Sequence, residues 1–153
     1  MSYRLGESSS SAVRRIKLDG LELPERPDYE QPTIPQDITS VDPVELMELF
    51  AEVNSWLDYT EVQLACAQID EKYEEQQLEE IQALDQINYK DEKTVTTMKA
   101  RAFESEDFLA QRERTIKAYG YRKIAETIYN RLERARFIIS REITRRTGER
   151  NNG

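Results

Sequence analysis

A chain of 153 residues with five glycines, 34% charged residues and a mean hydropathy of −0.79 is typical of long, solvent-washed helices rather than of a thick globular core. The sequence contains no histidine, which removes the commonest general base at neutral pH and the commonest metal ligand. Its single cysteine, Cys66, excludes an internal disulfide and agrees with a reducing compartment.

Several function classes are disfavoured because the sequence lacks their motifs. No apolar run approaches the roughly 18 residues of a membrane span, and the first fifteen residues lack the apolar core of a signal peptide. A Gly-rich phosphate loop and a Cys-His or Ser-His-Asp set are missing. The carboxylates of Asp70, Glu71, Glu74 and Glu75 lack the histidines of di-iron Glu-x-x-His motifs. We therefore expect a protein that is not an enzyme, with no metal, no cofactor and no membrane contact.

Residues 1–41 are predicted to form an extended, partly disordered arm. All five prolines fall between Pro24 and Pro43, and the segment Gly6–Ala12 is too polar and too small to bury a core. Within the arm, the Asp19-Gly20 pair is well suited to a two-residue β-hairpin turn. Either the arm is disordered here, or a hairpin over residues 16–23 docks on a partner through its apolar side chains. Those side chains are Ile16, Leu18, Leu21 and Leu23.

A first long helix is predicted over Pro43 to Ile87. Asp42 provides an N-cap acid, with proline at the first helical position and Glu45 at the third. From Glu61 to Asp85, eight acidic residues face one lysine, a local charge of −7. This run is either a solvated face or a docking site for a basic partner. An apolar stripe at helical spacing precedes it, formed by Leu46, Phe50, Val53, Leu57, Leu64 and Ala67.

A turn is predicted within Ile87–Thr97, with Asp91 as the next helix cap, followed by a second helical region over Glu92 to Arg146. Ser105 marks a possible interruption of that region and Gly120 a possible kink. Because the link is short, the two helices should be antiparallel neighbours. The predicted fold is all-α: a long, coiled-coil-like antiparallel helical hairpin over residues 42–147, with a flexible tail over 148–153.

The second helical region carries a narrow apolar seam, which is predicted to pack on the first helix of the same chain. Phe137 and Ile138 lie off this seam, so a further contact is expected, and self-association is one interpretation. The residues assigned to the seam, and through it to an oligomer contact, are Ile128, Leu132, Ala135, Ile139 and Ile143.

Beside the seam runs a ridge of four arginines: Arg131, Arg134, Arg141 and Arg145. From Arg131 to Arg150, seven arginines face three glutamates, a local charge of +4 in a chain whose net charge is −8. Arginine suits both carboxylates and phosphates because its fork is planar and bidentate. The ridge could pair with the acidic helix of the same or a neighbouring chain, or contact nucleic-acid phosphates. A pI near 4.8 favours the first use.

The segment "ESEDFLAQRERTIKAYGYRKIAETIYNRLERARFIISREITRR", with "WLDYTEVQLACAQIDEKYEE" before it, is similar to phage recombination mediators of the UvsY kind. The resemblance covers roughly Ser55 to Arg146. Such proteins are non-catalytic oligomers that bind single-stranded DNA and help to load a recombinase onto strands covered by single-strand-binding protein. The resemblance implies that Ser140, Arg141 and the nearby arginines face DNA.

Two functions follow as hypotheses. The first is a recombination-mediator-like accessory protein, a homo-oligomer acting with other phage proteins and binding single-stranded DNA weakly, in the cytoplasm of a host cell. The alternative is a virion structural or adaptor protein, whose extended arm anchors a helical hairpin to a larger assembly.

Overall fold

The computed structural model describes residues 6–89 and 94–151. The protein is all-α, as predicted, and no strand occurs in the part of the chain that is described. Its elements are α1 (Glu7–Leu18), a 3₁₀ turn (Ile38–Ser40), α2 (Pro43–Asn88), α3 (Val95–Ala102) and α4 (Glu106–Asn151). The chain divides into two compact units: unit 1 comprises Ile16–Leu64 with 125–151, and unit 2 comprises 6–15 with the described part of Ala65–Ile124.

Helix α2 begins where the capping pattern predicts. The Asp42 carboxylate accepts a hydrogen bond from the Val44 amide at 2.9 Å, and its carbonyl accepts one from the Leu46 amide at 2.8 Å. Pro43 occupies the first helical position, where its missing N–H has no cost. The helix ends at Asn88, one residue beyond the predicted end at Ile87.

The second helical region is two helices rather than one. Thr94 caps α3 by accepting from the Thr97 amide at 3.1 Å, whereas the predicted cap Asp91 and the predicted start Glu92 lie outside the described residues. The helix is interrupted at 103–105, as expected around Ser105. The Ser105 hydroxyl accepts a hydrogen bond from the Phe108 amide at 3.1 Å and so caps α4. Gly120 lies inside α4. That helix continues to Asn151, so the predicted tail is wrong for 148–151.

The core of unit 1 lies between the start of α2 and the end of α4. Leu46, Leu49 and Val53 form one buried cluster with Ala135 and Ile139. A second cluster joins Trp56 and Leu57 to Leu132. Because higher numbers on α2 pair with lower numbers on α4, the two segments run in opposite directions within this unit. The third side of the first cluster is closed by Ile34, Ile38 and Val41, which precede α2.

The predicted seam is therefore internal to the chain. Leu132, Ala135 and Ile139 are buried in these clusters, and Ile128 and Ile143 pack against them. Packing on the chain's own first helix is the outcome that the periodicity favours, and Leu132, Ala135 and Ile139 are buried by it. Ile128 and Ile143 are half-buried, and an oligomer contact through the seam stays a prediction. Phe137 and Ile138, which lie off the seam, are exposed.

The N-terminal region departs most from expectation, because the Asp19-Gly20 pair ends a helix instead of turning a hairpin. Gly20 has a φ of 79°, and its amide donates to the Lys17 carbonyl at 3.1 Å. The Leu21 amide donates to the Ile16 carbonyl at 3.2 Å, which completes a Schellman motif. Helix α1 thus replaces both the predicted hairpin and the predicted disorder of Gly6–Ala12. Leu18 and Leu21 are exposed, and Ile16 and Leu23 are half-buried.

In unit 2 the start of α1 is held by Asp70 of α2. The Asp70 carboxylate accepts from the amides of Gly6 and Ser9, at 2.8 and 3.0 Å, and from the Ser9 hydroxyl at 2.7 Å. A carboxylate at a helix N-terminus satisfies unpaired amides and is favoured by the helix dipole. A Cβ at Gly6 would lie 2.5 Å from Asp70 Cγ, so any other residue there would force the Asp70 carboxylate to move. Ser9 and Val13 are consequently buried.

Substitution of two glycines should change stability in opposite directions. Gly20→Ala places a side chain at positive φ and should lower the free energy of unfolding by about 1 kcal/mol. Gly120→Ala, inside α4 with nothing within 4 Å of the new Cβ, should raise it by about 0.5–1 kcal/mol. Urea unfolding followed by circular dichroism measures both. A gain for Gly20→Ala would contradict the capping motif.

A charged substitution in the core of unit 1 should lower the free energy of unfolding far more than the same substitution at an exposed position. Ile139 is 0% exposed, so Ile139→Asp should lower the free energy of unfolding by about 3 kcal/mol or more, because it buries a polar group without a partner. Ile124→Asp makes the same chemical change on the same helix at a residue that is 63% exposed. Thermal unfolding of the two variants provides the comparison, and equal losses would be inconsistent with this core.

Candidate interaction surface

The four arginines of the predicted ridge do not act as one group. Arg145 is bound by carboxylates of its own helix: its Nη2 lies 2.7 Å from Glu142 Oε1, and its Nη1 lies 2.6 Å from Glu149 Oε1. Arg131 donates to the side-chain carbonyl of Gln31. Arg134 and Arg141 are exposed, and the Arg141 guanidinium lies 5.7 Å from the centre of the Phe137 ring. Two members therefore have intramolecular partners, and two face outward.

Glu142 is the carboxylate that binds both Arg145 and Arg146, and sequence analysis did not single it out. Its side chain is only 5% exposed and accepts from Arg145 and from Arg146 Nε, the latter at 2.7 Å. The hydrogen bonds from Arg145 and then from Arg146 lower the pKa of Glu142 from its ordinary 4.5 to about 2. The i, i+3 and i, i+4 spacing of these residues is a signal that the sequence carries.

Arg146 connects this cluster to the segment before α2. Its Nη2 donates to the backbone carbonyls of Ile38 and Thr39, at 3.3 and 3.1 Å. A guanidinium has enough donors to bind a carboxylate and two carbonyls together. The cluster therefore fixes the 3₁₀ turn against α4 within unit 1. No spacing in the sequence predicts these two contacts.

The segment Arg26–Gln31 lies over Trp56 in the same unit. The Arg26 guanidinium is 5.9 Å from the centre of the indole ring, and the two line an open recess. Trp56 Nε1 is buried with no hydrogen-bond partner in the described part of the chain. Such a donor costs about 1–3 kcal/mol, which burial of the large ring offsets.

The outward half of the ridge belongs to what we call the α4 outer face. Exposed residues recur there at spacings of four, three and four, on the side of the helix opposite the unit 1 core. Phe137 is 61% exposed, a large value for an aromatic side chain, and the neighbouring Ile138 is 44% exposed. Beside them, Ile38 and Ile138 line an open groove. The α4 outer face consists of Asn130, Arg134, Phe137 and Arg141.

Helix α2 presents an acidic surface on the other side of unit 1, which we call the α2 outer face. Its exposed residues recur at spacings of four, three, four and three, again opposite the core. Val44 and the adjacent Met47 are 67% and 52% exposed. Between Pro43 and Leu64 there are five acidic residues and no basic one. The α2 outer face consists of Val44, Glu48, Ala51, Ser55 and Asp58.

Three acids of the α2 run, Asp70, Glu71 and Glu74, have partners within unit 2. Glu71 is paired with Arg122, whose Nε and Nη2 lie 2.6 and 3.1 Å from its two carboxylate oxygens. Glu74 accepts from the side-chain amide of Gln111 through both its carboxylate and its backbone carbonyl. The interpretations of the run as a solvated face or as a docking site for a basic partner are therefore wrong for Asp70, Glu71 and Glu74.

Cys66 is a buried core residue, and burial followed by the nearby charge of Asp70 raises the pKa of its thiol. A raised pKa keeps a thiol protonated and weakly nucleophilic. In residues 6–89 and 94–151, no group of three or more acidic or cysteine side chains is placed to hold a metal ion. Over the same residues, no helix combines the length and the apolar character that crossing a bilayer requires.

Comparison of the chain with known protein families, with curated proteins and with solved structures gave no match.

Loss of the Glu142 charge should reduce stability in a pH-dependent way. A carboxylate whose pKa is lowered by folding contributes stability that is fully present above its ordinary pKa of 4.5 and is lost as the pH falls towards 2. Glu142→Gln should therefore be less stable than wild type at neutral pH, with the difference shrinking below about pH 4.5. Urea unfolding of both proteins over a pH series measures this.

Glu149→Gln is the matched control, since Glu149 is an exposed partner of the same arginine. It should change stability little at any pH. A wild-type advantage over Glu142→Gln that stayed constant down to pH 2 would exclude the ion cluster as its source.

Proposed function

We propose that this chain is a non-catalytic helical assembly protein, which binds other protein chains through the outer helix faces of unit 1. The observation that carries the proposal is the exposure of large apolar side chains on both faces, at 61% for Phe137 and 67% for Val44. Contiguous exposed apolar residues, rimmed by charge, are typical of protein interaction surfaces. Arginine and aromatic side chains together are enriched in the residues that dominate binding energy.

The scaffold of this function is the long antiparallel, coiled-coil-like hairpin that the sequence predicts. Spacings of three and four alternate among the less exposed residues of both long helices, which is the pattern of coiled-coil packing. On α2 these residues are Leu46, Leu49, Val53, Trp56, Thr60, Gln63 and Ala67. On α4 they are Phe108, Gln111, Thr115, Ala118, Arg122, Ala125, Tyr129 and Leu132.

Partner binding through helix faces replaces anchoring through an arm. Ile34, Ile38 and Val41 are used in the unit 1 core, Arg146 holds the carbonyls of the 3₁₀ turn, and Gln31 accepts from Arg131. The segment before α2 is thus bound within its own unit. Leu18 and Leu21 of that segment stay exposed, but they lie at the end of α1, whereas the two helix faces offer exposed apolar side chains beside charged ones.

The assembly role can be tested by the mass of the native particle. When the protein is isolated from its natural source, wild type should sediment with a mass several times that of one chain. Phe137→Ser removes the main apolar side chain of the α4 outer face and should shift the protein to the mass of a single chain. Thr144→Val, at another exposed position of α4, should leave the particle intact. A wild-type protein that sediments as a single chain from its natural source would overturn the proposal.

Single-stranded DNA is the second candidate partner, in keeping with a recombination-mediator-like accessory role. The observation that favours it is the Arg134, Phe137, Arg141 arrangement, because cations interleaved with an aromatic ring suit phosphates and stacked bases. Pairing of Arg145 with two carboxylates and the acidity of α2 oppose it.

A titration of labelled oligothymidylate at several salt concentrations tests the DNA role. With Arg134 and Arg141 on phosphates, the log–log salt slope should be about −1.4. Arg141→Ala should weaken binding to every sequence alike and flatten the slope by somewhat under one unit, whereas Arg145→Ala should change it less. Absence of binding at low salt would exclude this candidate and leave the assembly role untouched.

A further inference from the structure

We infer that the α4 outer face binds the α2 outer face of a second copy of this chain. The inference rests on the proposed assembly function and names its partner. Both faces are exposed, and they lie on opposite sides of unit 1 because each is opposite the shared core. Copies placed side by side in the same orientation therefore bring one face of each chain against the other face of the next.

The two faces lie at the same positions along the helix axes, so no sliding of one chain past the other is needed to align them. Position along the axis is called height below. Leu49 and Val53 share a core cluster with Ala135 and Ile139, and the two segments run in opposite directions. Ala51, midway between the first two, thus lies at the height of Phe137, midway between the second two. A side-by-side contact places the largest outward side chain of α4 opposite one of the smallest outward side chains of α2.

Charge complementarity follows from the same alignment. One helical turn beyond Phe137, Arg141 lies at the height of Met47 and Glu48, and one turn before it, Arg134 lies at the height of Ser55. Arg134 then has Asp58 within one turn on the neighbouring copy. The segment of α4 in unit 1 has seven arginines and four glutamates, whereas that of α2 has five acidic residues alone. Opposite charges thus flank an apolar centre, as in protein interfaces with an apolar core and polar rim.

The contact joins two different surfaces, so it is heterologous and propagates from chain to chain. Such contacts produce closed rings when the rotation between neighbours closes, and open filaments when it does not. A dimer formed through two α4 outer faces would instead be two-fold symmetric and would leave the α2 outer face unused.

Analytical ultracentrifugation of the purified chain across micromolar concentrations tests the self-association. Wild type should form species larger than a dimer, and Phe137→Ser should raise the concentration at half-assembly at least about tenfold. Circular dichroism melts confirm that the variant is folded. A purified wild type that stays a single chain would overturn the inference, while a large native particle would still support the assembly function.

A charge exchange identifies the pairing of faces. Arg141→Glu alone and Glu48→Arg alone should each weaken assembly, since each brings like charges together. A mixture of the two variants should recover assembly, because every contact in an alternating array then joins opposite charges. The double variant should assemble by itself for the same reason.

Arg150→Glu is the control, an exposed residue of α4 outside both faces, and should have no effect. If Arg141→Glu lost assembly and mixing with Glu48→Arg did not restore it, the α4 outer face would bind something other than the α2 outer face. The inference would then fail. Dissociation of the wild-type assembly by oligothymidylate, with Arg141 required for both, would instead assign that face to DNA.

Discussion

In both units of this protein, a third segment covers the contact between α2 and α4. In unit 1 the third segment is the chain before α2, whose Ile34, Ile38 and Val41 cover the first core cluster. In unit 2 it is α1, which buries Ser9 and Val13. Both segments come from the region that composition alone assigns to a free arm. Polar contacts hold each in place: Arg146 on the carbonyls of the 3₁₀ turn, and Asp70 on the first amides of α1.

The sequence predicted the long elements well, because their determinants are local. The cap at Asp42, the break at Ser105 and the buried positions of the seam follow from capping chemistry and periodicity. The Asp19-Gly20 pair misled for a physical reason: positive φ at glycine serves a hairpin turn and a helix C-terminus equally. The polar segment Gly6–Ala12 becomes helical through Asp70, 61 residues beyond Ser9 in sequence, and no local pattern reveals such a partner. For the arginine ridge, the pairing of Arg145 was present in the i, i+3 spacing of Glu142, whereas the contact of Arg131 with Gln31 was not.

Polar residues at core positions limit how the helices can pair. Glu71 and Arg122 are mostly buried, with side chains 11% and 19% exposed, and together they satisfy each other within unit 2. A slip of one heptad would leave both charges buried without partners, at a cost of several kcal/mol. The hydrogen bond from the Gln111 side-chain amide to the Glu74 carboxylate would be lost in such a slip as well. Apolar residues alone tolerate several registers, so these pairs select one.

The charge distribution of unit 1 would act in a similar way on the proposed contacts between chains. Apolar burial does not discriminate among pairings, since a contact between two α4 outer faces would cover Phe137 and one between two α2 outer faces would cover Val44. A contact between two α4 outer faces would bring Arg134 and Arg141 of one chain close to those of the other, and a contact between two α2 outer faces would do the same with carboxylates. Both are repulsive, and only the mixed pairing is attractive. In the proposed self-association, the opposite charges of α2 and α4 would therefore specify which faces meet, and the apolar residues would supply the strength of the contact.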